Sequence, residues 1–178
     1  MTAAPRYSHR LRVAHLNPRA PTEIDLKPDA AARRAIAADL DLLDLPELRF
    51  TGRITAEGGQ AWALTGRLKA RVVQPCVVTL DPVTTDLSED LRRVYSPHAV
   101  QPEGDEVEMP DDEIEPLGQF IDVGEVMVEA LALALPPWPR AAGADAAEAA
   151  LGDDPGAGDE ERQKPFAGLA DLLARKPH

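Results

Sequence analysis

The first apolar pattern in the chain has the period of an α-helix. In residues 29–43, DAAARRAIAADLDLL, the apolar residues Ile36, Leu40 and Leu43 recur at i, i+4 and i+7, with charged residues elsewhere on the wheel. Asp29 suits a first helical turn, and Pro46 stops the pattern. The sequence therefore predicts an amphipathic helix over residues 29–43.

A second helical pattern covers residues 122–135, DVGEVMVEALALAL. Asp122 and Glu125 form an acidic version of the capping box, and Pro136-Pro137 ends the segment. Apolar side chains cover most of the circumference of this helix. We therefore predict that it is buried against a sheet.

Between the helices the apolar period changes to two, which is typical of strands. In residues 47–56 and 62–72, one apolar face falls on even numbers: Leu48, Phe50, Ile54 and Ala56, then Trp62, Leu64, Leu68, Ala70 and Val72. Opposed residues of a hairpin share a face, so the connecting loop must hold an odd number of residues. Loops of three residues (57–59) and of five residues (57–61) both satisfy this condition.

A further apolar run, Val72 to Leu80, contains Pro75 and Cys76 and leads into a turn at Asp81-Pro82. Residues 83–95 then alternate again, with Val83, Leu87, Leu91 and Tyr95 on the odd-numbered face. These patterns predict an antiparallel meander of about four strands. The expected fold class is α+β: a strongly twisted antiparallel sheet, open or curled toward a small barrel, covered by the two helices.

Length and charge set the domain organisation. We expect 178 residues to form one domain over residues 1–140, followed by an acidic Ala/Gly-rich linker and a short amphipathic segment over 141–178. Residues 103–115 hold eight acidic and no basic side chains, which favours an exposed, mobile loop.

The net charge of −12 gives no overall attraction to nucleic acid or to an anionic membrane, so partners should be basic or contacts local. No apolar run is long enough to span a bilayer, and we expect a cytoplasmic protein without a membrane or DNA partner.

The motifs of common enzymes are missing from this sequence. It contains no GxxxxGK[ST] phosphate loop, no GxGxxG after a strand, no HExxH and no GxSxG. The four histidines, His9, His15, His98 and His178, lack the spacing of metal ligands. We therefore predict a protein that is not an enzyme, with no catalytic residues, no cofactor and no metal.

One basic feature stands out in this acidic chain. The hairpin face opposite the core carries Thr51, Thr55 and Thr65 and five cationic side chains, which are our candidate RNA contacts: Arg49, Arg53, Arg67, Lys69 and Arg71. Arginine and threonine on a sheet surface can bind phosphates, although exposed strands carry the same residues simply because they face water. Arg6, Arg10 and Arg12 could extend this basic face, whereas Trp62 lies on the core face.

Four stretches, in this order along the chain, resemble the YceD family, the bacterial large ribosomal RNA subunit accumulation proteins. They are LKPDAAARRAIAADLDLLDLPELRF, TGRLKARVVQPCVVTLDPV, FIDVGEVMVEALALALPPWPR and PFAGLADLL. The resemblance covers roughly residues 8–140 and the PFAGLADLL tail. It implies a role without catalysis in the accumulation or maturation of large-subunit rRNA.

The resemblance also bears on Cys76, the only cysteine. Many family members carry a Cys-x-x-Cys-like pair here and further cysteines after the second helix, which is typical of zinc. In this chain Thr79 stands three residues after Cys76, and PPWPRAAGAD contains no cysteine. A lone thiolate cannot form a four-ligand zinc site. We expect Cys76 to be a small core residue whose replacement costs a modest amount of stability.

Two hypotheses about function follow. In the first, the protein is a ribosome-biogenesis factor that contacts large-subunit rRNA or its assembly intermediates through the basic strand face. In the second, it is an acidic chaperone or adaptor that uses residues 103–115 and the tail to hold a basic ribosomal protein.

Overall fold

The structure, a computed structural model, describes residues 7–98 and 114–144. The chain divides into two units, Met1–Ala141 and Ala142–His178, and the first is described below. Its elements in chain order are β1 (Arg10–Arg12), β2 (Thr22–Leu26), α1 (Ala30–Asp39), β3 (Asp44–Glu57), β4 (Ala61–Pro75), β5 (Pro82–Ser96), β6 (Ile114–Pro116), β7 (Phe120–Asp122) and α2 (Val123–Ala134).

Five strands form an open sheet in the order β2-β3-β4-β5-β6. The first four strands are antiparallel neighbours, whereas β6 runs parallel to β5. The small strands β1 and β7 pair with each other in a second sheet. The predicted α+β class is confirmed, and the sheet is not closed into a barrel.

The hairpin β3–β4 has the register that its apolar pattern requires. Ala56 faces Trp62 and Glu57 faces Ala61, so three residues, Gly58 to Gln60, form the turn. A five-residue loop over residues 57–61, one of the two predicted from the sequence, gives this same register. The additional pair Glu57–Ala61 then shortens the turn to three residues. Gly58 and Gly59 have φ angles of 53° and 82°, a left-handed conformation that glycine adopts without steric cost.

The even-numbered face of this hairpin is the core of the domain. Phe50, Ile54, Leu64 and Leu68 are fully buried in one apolar cluster that also contains Ile36 of α1 and Met127 of α2. Helix α1 packs against β3, and α2 packs against β4 and β5. The aromatic rings of Trp62 and Tyr95 lie on the same side.

A glycine pair crosses the middle of the sheet, where Gly52 on β3 faces Gly66 on β4. A Cβ atom on Gly66 would lie 2.4 Å from Cζ of Phe50, and one on Gly52 would lie 2.4 Å from the carbonyl oxygen of Thr65. The ring of Phe50 therefore packs directly on the Gly66 backbone.

Helix α1 ends earlier than its sequence pattern predicts. Asp29 caps its N-terminus by accepting a hydrogen bond from the Ala32 amide, but the helix stops at Asp39 instead of residue 43. Asp41 adopts a left-handed φ of 52°, which reverses the chain into β3. Leu43 consequently points outward and is 56% exposed.

Helix α2 matches its predicted span closely. Asp122 is the N-cap and accepts hydrogen bonds from the Gly124 and Glu125 amides. The same carboxylate accepts hydrogen bonds from the Ser8 hydroxyl, the His9 amide and the Arg10 side chain. One side chain thus joins the start of α2 to the strand β1.

Two further boundaries differ from the prediction. The apolar run of residues 72–80 forms no separate strand, because β4 continues to Pro75 and residues 77–79 form a turn. The fourth antiparallel strand is instead β2. Ile114 and Glu115, the last two residues of the predicted loop 103–115, lie in strand β6 instead, and Glu115 forms an ion pair with Arg93 at 2.9 Å. The rest of the 103–115 loop lies outside the described residues.

Candidate nucleic-acid interface

The sheet face opposite the core is formed by odd-numbered residues of β2, β3 and β4 and by even-numbered residues of β5; we call it the outer face. The antiparallel register places all five candidate RNA contacts on it. It also brings in charged residues from β2 and β5, on either side of the hairpin.

Three of the five candidate cations are held by aspartates of those neighbouring strands. Each arginine donates two hydrogen bonds to one carboxylate, at 2.6 to 3.2 Å, in the pairs Arg49–Asp25, Arg67–Asp90 and Arg71–Asp86. These side chains are all exposed. Arg53 and Lys69 have no ion pair within residues 7–98 and 114–144.

The bidentate hydrogen bonds also set the protonation of the three aspartates. The hydrogen bonds from Arg49, Arg71 and Arg67 lower the pKa of Asp25, Asp86 and Asp90 below its ordinary value. The arginines respond in the opposite direction, since contact with a carboxylate raises the pKa of each guanidinium. The pairs are therefore fully charged near neutral pH.

The outer face is consequently balanced in charge, although its central hairpin is basic. Its basic side chains are the five candidates and Arg92, and its acidic side chains are Glu23, Asp25, Glu47, Glu57, Asp86 and Asp90. Arg92 pairs with Glu57 at 2.6 Å. The acids of β2 and β5 alternate with the cations of β3 and β4, which a pattern on the hairpin alone does not reveal.

The N-terminal arginines do not extend this face. Arg10 pairs with Asp122 at 3.2 Å, and the guanidinium of Arg12 lies 5.5 Å from the ring centroid of Phe120. Both belong to the small β1–β7 sheet. Arg6 lies outside the described residues.

Cys76 occupies a compact turn after β4, and its side chain is completely buried, as expected. The Sγ atom accepts hydrogen bonds from the backbone amides of Val78, Thr79 and Ala141, at 3.3 to 3.4 Å. The Thr79 hydroxyl donates a further hydrogen bond, and together these donors lower the pKa of Cys76 to about 6. The lowered pKa depends on how the turn folds and on the approach of Ala141, so it could not be predicted from the residue types around Cys76.

The donors around Cys76 do not fit a structural zinc ion. Zinc in such sites takes four thiolate or imidazole ligands. Here the single sulfur is already surrounded by hydrogen-bond donors, and Thr79 occupies the position where a second thiolate would stand. Among residues 7–98 and 114–144, the surroundings of Cys76 thus supply one ligand instead of four.

The stability of the protein should depend on the ionisation of Cys76. The pKa of an unfolded cysteine thiol is about 8.5, whereas the pKa of Cys76 in the folded protein is about 6. The Cys76 thiolate therefore contributes its full stabilisation above about pH 8.5, and this contribution decreases as the pH falls and is lost below about pH 6. We expect the stability advantage of the wild type over Cys76→Ser to increase between about pH 6 and pH 9. Urea unfolding of both proteins across this range measures it, and a difference independent of pH would contradict the expectation.

The described part of the chain offers neither a metal site nor a membrane-spanning helix. Within residues 7–98 and 114–144, no group of three or more His, Cys, Asp and Glu side chains could hold a metal ion. No helix in the same ranges is long and apolar enough to cross a membrane.

The fold and the site define an α+β domain with an exposed sheet face of paired charges. The chain belongs to the YceD family, because the model of that family, described as "Large ribosomal RNA subunit accumulation protein YceD", matches residues 64–173, more than half of the chain. The family name supports a role in ribosome biogenesis and in rRNA accumulation. None of the curated proteins and none of the solved structures matches this chain.

Proposed function

We propose that this protein promotes the accumulation of large-subunit rRNA by binding the RNA, or its assembly intermediates, through the outer face. The family match supports the process, and the Arg and Thr side chains presented together on one exposed sheet face support the contact. In this role the protein binds RNA without transforming it. Its site of action is the cytoplasm, where ribosomal subunits assemble in bacteria.

The ion pairs of the outer face are compatible with phosphate binding. Exposed ion pairs stabilise a fold only weakly, so a phosphate can replace an aspartate as the acceptor of a bidentate arginine. Arg53 and Lys69 require no such exchange and would form the first contacts. Phe50, Trp62 and Tyr95 are buried on the core side, so the outer face would bind the RNA backbone rather than stack bases.

Replacing the two cations without ion pairs should weaken RNA binding. We expect Arg53→Gln/Lys69→Gln to reduce co-sedimentation with large-subunit precursors and to lower the slope of log K against log salt by about 1.5. Glutamine is preferable to glutamate, because new acids beside Asp25, Asp86 and Asp90 would destabilise the sheet. The matched control is Asp90→Asn, which frees Arg67 and should strengthen the same interaction.

Unchanged co-sedimentation and salt dependence of the double variant would contradict the RNA contact. The Asp90→Asn control has a second informative outcome. If this variant binds more weakly than the wild type, the partner recognises the intact Arg67–Asp90 ion pair and not a free guanidinium. Circular dichroism of each variant establishes that the fold is retained.

A second function is favoured by the distribution of charge along the chain. The described residues contain 14 basic and 16 acidic side chains, whereas the whole chain contains 19 and 31. The acidic excess therefore lies mainly in residues 99–113 and 145–178. These segments would suit an acidic chaperone for a basic ribosomal protein. In the same pull-down, deletion of residues 103–113 would then remove a protein partner, while Arg53→Gln/Lys69→Gln would leave it bound.

A further inference from the structure

A shallow, open groove of about 600 Å³ crosses the outer face at the Gly52–Gly66 pair. Six polar side chains line it: Glu23, Thr51, Arg53, Thr65, Arg67 and Asp90. The groove spans four neighbouring strands, from Glu23 on β2 to Asp90 on β5. It is the part of the outer face where cations, hydroxyls and carboxylates converge.

Glu23 and Arg53 form the informative pair within this groove. They are directly opposite each other in the β2–β3 register, and both are exposed. Opposed residues of an antiparallel pair have Cβ atoms about 5 Å apart. Neither side chain has an ion pair within the described part of the chain, unlike Arg67 and Asp90 at the other end of the groove. A cation and a carboxylate are thus available side by side, flanked by the hydroxyls of Thr51 and Thr65.

A surface that bound only phosphates would gain nothing from Glu23, because a carboxylate repels a phosphate and donates no hydrogen bond at neutral pH. An RNA chain, however, offers two different groups in every nucleotide. Its phosphate accepts hydrogen bonds, and its 2′-hydroxyl can donate one to a carboxylate. A guanidinium beside a carboxylate is complementary to that repeating combination.

Building on the proposed RNA contact, we propose that this groove is a subsite for one ribose–phosphate unit of RNA, with Arg53 on the phosphate and Glu23 accepting from the 2′-hydroxyl. Thr51 and Thr65 bind the remaining phosphate or ribose oxygens. The subsite makes the outer face selective for ribose, in addition to its general attraction for phosphate.

The test compares an RNA hairpin with the same hairpin carrying 2′-fluoro riboses, which keeps the A-form geometry and the charge but removes the hydroxyl donor. Fluorescence anisotropy with the full chain should show about tenfold weaker binding of the 2′-fluoro hairpin, the effect of losing one hydrogen bond to a charged group. In Glu23→Ala, which has no hydrogen-bond acceptor on its side chain, this ratio should fall toward one, even though removal of an acid strengthens the binding of both hairpins.

Asp86→Ala is the matched control, because it also truncates one acid of the outer face but lies outside the groove. It should raise both affinities and leave the ratio near ten. Equal binding of the two hairpins by the wild type, or an unchanged ratio in Glu23→Ala, would overturn the ribose subsite while leaving the RNA contact standing. Failure of the wild type to bind either hairpin would instead overturn the RNA contact itself.

Discussion

Gly66→Ala is expected to lower the free energy of unfolding by about 2–3 kcal/mol, the cost of overpacking a well-filled core. The added methyl group would lie 2.4 Å from Cζ of Phe50 and 2.8 Å from the carbonyl oxygen of Thr51. Neither atom can move freely, since the Phe50 side chain is fully buried and the carbonyl belongs to the centre of β3.

Urea unfolding of Gly66→Ala, monitored by circular dichroism, measures this loss. Gly118→Ala is the control, because the nearest atom to its added methyl lies 3.9 Å away, and it should change stability by less than about 0.5 kcal/mol. Phe50→Leu removes the clashing ring atoms, so the double variant should be more stable than the sum of the two single losses predicts. Strict additivity, or a neutral Gly66→Ala, would show that the ring does not rest on Gly66.

Asp122→Ala is the second change with a large expected effect, a loss of about 2–4 kcal/mol. The N-cap contributes about 1 kcal/mol of this, and the remainder comes from the Ser8, His9 and Arg10 donors, which are left without their acceptor. We expect β1 to detach from β7 as well, because the carboxylate joins the segment before β1 to α2.

The loss should depend on pH in a defined direction. Burial alone would raise the pKa of Asp122, but the hydrogen bonds from Ser8, His9, Glu125 and Arg10 outweigh it and hold the pKa below its ordinary value. The carboxylate therefore stabilises the fold above the unfolded pKa of about 3.9, and this contribution is lost as pH falls through the lower folded value. Thermal unfolding should show a smaller difference in melting temperature between the wild type and Asp122→Ala near pH 3 than at pH 7. Asp81→Asn, an exposed acid, should show little difference at either pH.

The long elements of this fold could be predicted from the sequence because their apolar periods are sustained. The even-numbered face of β3 and β4 and the broad stripe of α2 each fix one buried side. The short strands β1, β2, β6 and β7 could not be predicted, since three to five residues carry too little pattern and their pairing depends on tertiary contacts. The end of α1 was misplaced because a single left-handed residue, Asp41, determines it.

Only part of the candidate site could be predicted from the sequence. The sequence placed five cations on one strand face, and the structure places them on the same face. Their aspartate partners could not be predicted, because they depend on how the strands pair. Asp25 lies on the unpredicted strand β2, and the pairing of Asp86 and Asp90 depends on the register across the Cys76 turn. Whether the five cations contact RNA stays a prediction.

The parallel strand β6 brings the two flanks of the acidic insertion, residues 99–113, to the same end of β5. Val94 and Ile114 are neighbours in the sheet, and the Leu117 amide donates to the carbonyl oxygen of Ser96, so both ends of the insertion are fixed at one end of β5. The entropy of closing a segment between fixed ends grows only slowly with its length, by about 0.6 kcal/mol for each doubling. A change in the length of the connection between these two strands should therefore cost the sheet little free energy, because its end points stay in place.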